Sequence, residues 1–379
     1  MKKMFTERKL TDWLLRETSS SGVRRVVSLR GALASEVGSV RSDNQDKAIM
    51  FRGVDITGRP YAVAIVADGI GGMKDGARCA SLAIASFTSA LTKLSLLKNI
   101  SLRDRLIKAS NLSNEAVYRE FQGQGGSTLV AVMFVPNQCP IWVSAGDSRI
   151  YLHSENDFGP LTIDDTIAGQ LNKSGRVSAE QSKILQFVGM GRDFEPHIGE
   201  VKDAPAGQLF LTTDGIHYLE DGSNWFKNLI QCSPDAAAAS KRLIDVAKWC
   251  GGPDNATLAV VGFPVQFPEQ LKADDALQVW DAFGELHIQL PCMPTQNKIE
   301  WKDLFSDFLL PTKVQDSYVE KNNNNLNLQK KIELENTSQI KRKSNRKKTT
   351  SKNKLSRSKK KTEEGVPQLD IEFSPKTKD

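Results

Sequence analysis

The stretch Tyr61-Ala62-Val63-Ala64-Ile65-Val66-Ala67-Asp68-Gly69-Ile70-Gly71-Gly72 decides how the chain is read. Ala62 to Ala67 are small or apolar throughout, which fits a strand buried on both faces. The run stops at a carboxylate followed by three glycines in four positions. A buried strand that delivers Asp68 to a glycine-turned loop fixes one acid at a rigid sheet edge. The plainer reading is an Asp-Gly turn closing a hairpin. What the other strands end in decides between the two.

Working outward, Arg24 to Ala34 suits a strand, and the polar loop from Gly38 to Asp46 precedes a second apolar run, Ala48 to Phe51. Downstream of Gly72, Ala80, Ala83, Ile84, Phe87, Leu91 and Leu94 recur at helical steps, and Leu102 to Phe121 suits a second helix. Strands are expected over Thr128 to Val135, Ile141 to Ala145, Ile150 to Leu152, Gln208 to Thr213 and Ala256 to Phe263. Leu161 to Ser182 reads as a polar surface excursion. Ser233-Pro234 has the form of a helix start, with a serine cap and proline in the first turn. Residues around Leu10, Trp13 and Leu14 suit a short N-terminal helix.

On this reading Asp68, Asp147, Asp214 and Asp254 each lie beside a strand end or start, with Asp46 as a fifth, and three of them neighbour a glycine. Any one is a plausible turn residue; five at strand edges point to a site. Crowded carboxylates repel unless cations neutralise them. The chain has four histidines, none spaced to share a metal, and five scattered cysteines without a CxxC pair, which excludes a zinc site and suits reduced thiols. An oxygen-only donor set suits magnesium or manganese. Two such ions sharing an aspartate can activate water and polarise a phosphoryl oxygen. Arg41, in the loop before Asp46, has a planar fork suited to phosphate, although an isolated loop arginine is more often a solvated charge.

These residues resemble the metal-dependent protein serine/threonine phosphatases of type 2C, above all their bacterial branch. The matching motifs run in family order from about Val23 to Phe263: Arg41-x-x-Asn44-Gln45-Asp46, Asp68-Gly69-Ile70-Gly71-Gly72, Gly126-Ser127-Thr128-Leu129, Gly146-Asp147-Ser148-Arg149, Leu161-Thr162-x-Asp164, Thr213-Asp214-Gly215 and Asp254-Asn255. The resemblance implies an α+β fold, a four-layer α-β-β-α sandwich of two antiparallel sheets flanked by helices, with a metal cluster at one end. It implies that Asp68 bridges two manganese or magnesium ions and that the Gly69 carbonyl completes one shell. Asp46, Asp214 and Asp254 would be further ligands or hold ligating waters; Asp147 with Asp214 would form a weaker third site. Arg41 would bind the substrate phosphate, and a metal-bound hydroxide would attack phosphorus in line. Three positions depart from the family: Gln45 where many relatives have Glu, Ile70 where many eukaryotic relatives have His, and Asp165 where His usually follows Asp164.

The expected organisation is an N-terminal extension over 1–22, a catalytic domain over 23–263, an extension over 264–314 and a disordered basic tail over 315–379. Glu300 to Leu310 places Trp301, Leu304, Phe305, Phe308 and Leu309 on one helical face, suited to packing on the body or docking a partner. The formal charge of +6 conceals a divided chain: twelve Lys or Arg and no acid lie in Lys341 to Lys361, so the remainder sums to 6 − 12 = −6. The tail suits an acidic protein or a nucleic acid, or simply solvation. No window nears the ~20 apolar residues of a membrane span, and no signal-peptide core is present, which gives the expectation of a cytoplasmic monomer. Phosphoprotein substrates and a cognate serine/threonine kinase are the implied partners. The rival readings are a catalytically weak phosphatase-like scaffold and a nucleic-acid-associated regulator tethered by the tail.

Overall fold

The computed structural model describes residues 5–155, 157–171, 182–202, 205–219, 224–267 and 277–289. The amphipathic segment 300–310 and the tail lie outside them. In chain order the elements are α1 (Phe5–Leu14), β1 (Ser21–Val26), β2 (Gly31–Glu36), β3 (Asp46–Val54), β4 (Pro60–Asp68), α2 (Gly76–Ser95), α3 (Leu102–Phe121), β5 (Leu129–Phe134), β6 (Ile141–Ala145), β7 (Arg149–His153) and β8 (Phe158–Pro160). Then come α4 (Ile167–Gln170), β9 (His197–Glu200), β10 (Gly207–Thr212), α5 (Asp214–His217), α6 (Trp225–Gln231), α7 (Ala236–Trp249), β11 (Ala256–Phe263), β12 (Leu277–Trp280) and β13 (Glu285–Ile288).

Two antiparallel sheets organise these strands. One runs β1-β2-β11-β10-β7-β8 and the other β13-β12-β3-β4-β5-β6-β9. Strand β4 shows why the fold is layered. Its odd residues Tyr61, Val63, Ile65 and Ala67 face a core shared with α1, α2 and α3. Its even residues Ala62, Ala64 and Val66 face a second core formed with the opposite sheet, including Leu209, Leu211, Ala259 and Val261. A two-residue period with both sets apolar is what a strand between two layers requires. The other sheet repeats the pattern, its outer face covered by Phe226, Leu243, Ile244 and Ala247 of α6 and α7. Helices, two sheets and helices thus form four layers, as the resemblance implies.

Two local readings are corrected. Arg24 to Ala34 is a hairpin: a short 3-10 turn over Val27–Leu29 and a left-handed Arg30 (φ 49°) separate β1 from β2. The helix expected from Ser233-Pro234 begins at Ala236, because Asp235 is the cap and its carboxylate accepts from Ala238 N at 3.0 Å. Short strand β9 and helix α6 carry too few periodic positions to stand out. Past Phe263, β12 and β13 complete the seven-stranded sheet, β12 pairing with β3 through Trp280 and Met50. Leu10 and Leu14 of α1 are buried in the same core as α2.

Candidate functional site

The register of β3 and β4 places Asp46 directly opposite Asp68, two carboxylates at one edge of one sheet. From the facing sheet, β10 ends at Thr212 and Asp214 opens α5. The turn before β11 carries Asp254, and the β6–β7 turn carries Asp147. These side chains meet at a cavity of about 250 Å³ lined by Asp68, Asp147, Asp214, Asp254, Gly69 and Arg41. Asp46 lies just behind them, 2 % exposed.

Short polar residues hold each acid in place. Thr213 Oγ1 donates to Asp46 Oδ2 at 2.8 Å and accepts from Thr257 N at 3.0 Å. The Asp68 backbone is tied down from three directions: its N–H donates to Thr128 Oγ1 (2.9 Å), and its carbonyl accepts from Thr128 N (2.8 Å) and Ser127 Oγ (2.8 Å). Thr128 Oγ1 lies 2.7 Å from Ser148 Oγ, beside Asp147. Asn255 spans the Arg41 loop: its Nδ2 donates to the carbonyls of Val37 (2.8 Å) and Asp43 (2.9 Å), and its Oδ1 accepts from Gln45 N (2.8 Å). Ser127, Thr128, Ser148, Thr213 and Asn255 lie inside the quoted motifs, but nothing in the sequence assigned them a part. The signal was a hydroxyl or amide one residue from a strand-end carboxylate.

Glycine is required by close backbone approach at Gly69, and Gly76 packs against the Gln45 side chain. A Cβ on Gly69 would lie 2.2 Å from the Gly76 carbonyl oxygen, and one on Gly76 would lie 2.6 Å from Gln45 Oε1. The backbone after Asp68 is therefore pressed against the start of α2, beside the cavity.

Electrostatics marks the cluster as under strain without counter-charge. Burial, and then the neighbouring Asp214 and Asp254, push Asp46 up to about 7, against the hydrogen bond from Thr213. Burial and Asp214 push Asp147 up to about 8. Burial and Asp254 raise Asp214 to about 6. Asp68 is driven well above the usual carboxylate range by burial and by Asp46, Asp214 and Asp147. Asp254 accepts from Arg41 Nη2 at 2.8 Å, and that bond is the main cause of the raised Arg41 value.

Among the described residues no three acidic, imidazole or thiol groups already stand close enough to share one ion. The donor set nonetheless fits a hard divalent cation. Asp214 Oδ1 is buried with no hydrogen-bond partner among the described residues. Buried carboxylate oxygens are otherwise satisfied, so an orphan facing other acids is a vacant donor of the kind a cation fills.

The excursion that starts at Leu161 is anchored at its base. Asp164 receives a two-pronged ion pair from Arg149, at 2.8 and 2.9 Å. Asp165 is buried and accepts from Gly146 N (2.9 Å) and Gln186 Nε2 (3.0 Å), and it lies 2.7 Å from His197 Nε2. The departure at position 165 is thus a satisfied carboxylate bracing the Asp147 turn. Residues 172–181 lie outside those described.

With this geometry the relatives can be compared. The chain is 26% identical over 241 residues to protein phosphatase PhpP of Streptococcus pneumoniae, spanning 61% of this chain and 96% of the relative. Over this span the chain is similar to protein phosphatases of type 2C. The serine/threonine protein phosphatase PstP of Mycobacterium tuberculosis is 29% identical over 255 residues, 62% of this chain and 45% of that one. The solved serine/threonine phosphatase of Streptococcus agalactiae has a similar fold, with a TM-score of 0.52 and 24% identity over 61% of this chain and 98% of that one. No family model matches the chain. Among the described residues no helix is long and apolar enough to cross a membrane.

Proposed function

We propose that the chain removes phosphate from serine and threonine residues of proteins, using two manganese or magnesium ions. The observation that carries this reading is the convergence of strand-end aspartates from both sheets on one cavity, with Asp214 Oδ1 unsatisfied. Asp68, Asp46, Asp214, Asp254 and the Gly69 carbonyl would hold the two ions; Asp147 with Asp214 would hold a third. Divalent ions there supply a nucleophilic water at neutral pH and stabilise charge on the phosphoryl oxygens.

The chain's own residues position the rest. Arg41 Nη2 is held by Asp254, which aims the guanidinium at the cavity mouth beside Gly71, where it takes the substrate phosphate. Thr213 keeps Asp46 oriented toward the cluster. Ile70 lines the cavity without an ionisable group, so the departing serine oxygen draws its proton from water or from another residue. The segment 23–263 carries every motif residue. A serine/threonine kinase supplies the substrates in this reading, and the basic tail concentrates the enzyme on an acidic protein or nucleic acid through charge alone. The scaffold reading is disfavoured by the complete aspartate set.

The test is hydrolysis of an aryl phosphate and of a phosphothreonine peptide. Activity should vanish in EDTA, return with manganese and be lost in Asp68→Asn. Full activity in EDTA would end the proposal.

A further inference from the structure

A second cavity, of about 210 Å³, opens at the other end of the β3–β4 hairpin, against the start of α3 and the end of β5. Strand β4 separates it from the aspartates: the eight steps from Pro60 to Asp68, at about 3.3 Å each, put roughly 26 Å between the two ends. Leu102, Met133 and Val135 give it apolar walls; Arg59, Arg105 and Asp55 supply its charges.

Arg105 is the anomaly. Its side chain is only 8% exposed, yet it makes no hydrogen bond to any described residue, and its Nε is buried without a partner. The nearest acid atom, Asp55 Oδ2, stands 3.7 Å from Nη1, too far for a hydrogen bond. Asp55 is committed elsewhere, its Oδ1 accepting from Thr57 N (2.9 Å), Thr57 Oγ1 (2.6 Å) and Arg59 N (3.1 Å). Arg59 in turn donates from Nη2 to the Pro136 carbonyl. Two guanidinium groups against one carboxylate leave a net positive charge in the cavity. A guanidinium taken from water with its donors unmet is costly, and an oxyanion that satisfies them bidentately removes that cost.

We propose that this cavity binds a small organic monoanion, a short-chain carboxylate. Its head takes the donors of Arg105, and its aliphatic body lies against Leu102, Met133 and Val135. A single compensating charge matches the net charge of the lining, and the apolar walls favour a carbon chain over an inorganic ion. The volume lies below the ~300–1,000 Å³ of drug-sized pockets, so a ligand of a few carbons fits and a nucleotide does not.

The test uses the full chain carrying Asp68→Asn in EDTA, so that the catalytic cleft presents chiefly carboxylates to an anion. Isothermal titration with 3-methylbutanoate at constant ionic strength should give saturable one-to-one binding. Arg105→Gln should weaken it at least tenfold. Ile100→Glu, which places a like charge on the cavity lining and leaves Arg105 in place, should weaken it to the same degree. The second variant decides the matter if the first fails to fold by circular dichroism. No saturable binding would mean the cavity holds only water, and the proposal falls. Affinity unchanged in the folded variants, or phosphate binding the cavity as tightly as 3-methylbutanoate, would overturn it as well.

Discussion

Stripping metal from the protein should make its stability fall as pH rises, the reverse of ordinary acid denaturation. Asp46 is the group from which the size follows, being 2 % exposed and raised from 3.8 to about 7 by burial, Asp214 and Asp254. A carboxyl whose folded pKa exceeds its unfolded one binds more protons folded than unfolded between the two values. Folding is therefore opposed increasingly as pH climbs from about 4 to 7. At 1.36 kcal/mol for each pH unit of difference, Asp46 alone costs about 4 kcal/mol by pH 8. Asp68, Asp147 and Asp214 act in the same direction within one coupled cluster, so their effects do not simply add. His217 opposes them. It is buried and held well below 6.5, so its contribution to stability is lost as pH falls through 6.5. About 3 kcal/mol of the Asp46 cost falls above pH 5, so the EDTA-treated chain should melt roughly 6–12 °C lower at pH 8 than at pH 5, at 2–4 °C per kcal/mol. Manganese added at pH 8 should recover most of that drop. Asp46→Asn should flatten the metal-free profile, making the variant more stable than its parent at pH 8 while abolishing hydrolysis. The assay is differential scanning fluorimetry in matched buffers from pH 5 to 8.5. A metal-free profile that is flat or rises with pH would refute the reasoning.

Other outcomes follow from single contacts. Asp68→Asn should lower aryl phosphate turnover by at least ~10²–10³, measured at saturating manganese. Thr213→Val keeps the shape but removes the donor to Asp46, so it should destabilise by ~1–3 kcal/mol in urea melts and weaken manganese activation. Arg41→Ala should raise KM for a phosphopeptide more than it lowers kcat, read from initial rates. Truncation after Ile340 should leave aryl phosphate kinetics unchanged and weaken low-salt retention on heparin; lost activity would mean that the tail contributes to catalysis.

The layered fold was legible where burial is uniform. Strand β4 announces itself because both of its faces meet apolar layers, and α3 because its spacing is regular and Ser101 caps it by accepting from Asp104 N at 3.0 Å. Elements whose existence depends on distant partners were not legible. β9 owes its strand form to pairing with β6, through registers such as Val143 with Ile198. β12 and β13 likewise take their place from β3 rather than from their own alternation. Asp235 displaced Ser233 as a cap because a carboxylate two residues on could also reach Arg25, at 2.6 Å. At the site, the acids were visible as strand-end residues. Their opposition across the β3–β4 register was not, because register is set by pairing that a single strand does not display.

That register also explains why the site needs its shell of hydroxyls and amides. Asp46 and Asp68 are neighbours on one ladder, so backbone pairing along Lys47 to Val66 forces their side chains together whatever their charge. The repulsion cannot be relieved by moving a loop; it can only be held. Thr128 and Ser127 hold the Asp68 backbone, Thr213 holds the Asp46 carboxylate, and Asn255 holds the loop bearing Arg41 and Gln45. Each is short, so fixing it costs little side-chain entropy, and each spends its hydrogen bonds on backbone or on one oxygen. The remaining carboxylate oxygens, Asp214 Oδ1 above all, are left for a cation. On the proposed function, the stability sacrificed by the metal-free cluster and the capacity to bind divalent ions are one property of the same strand ends, seen from the two sides of a binding equilibrium.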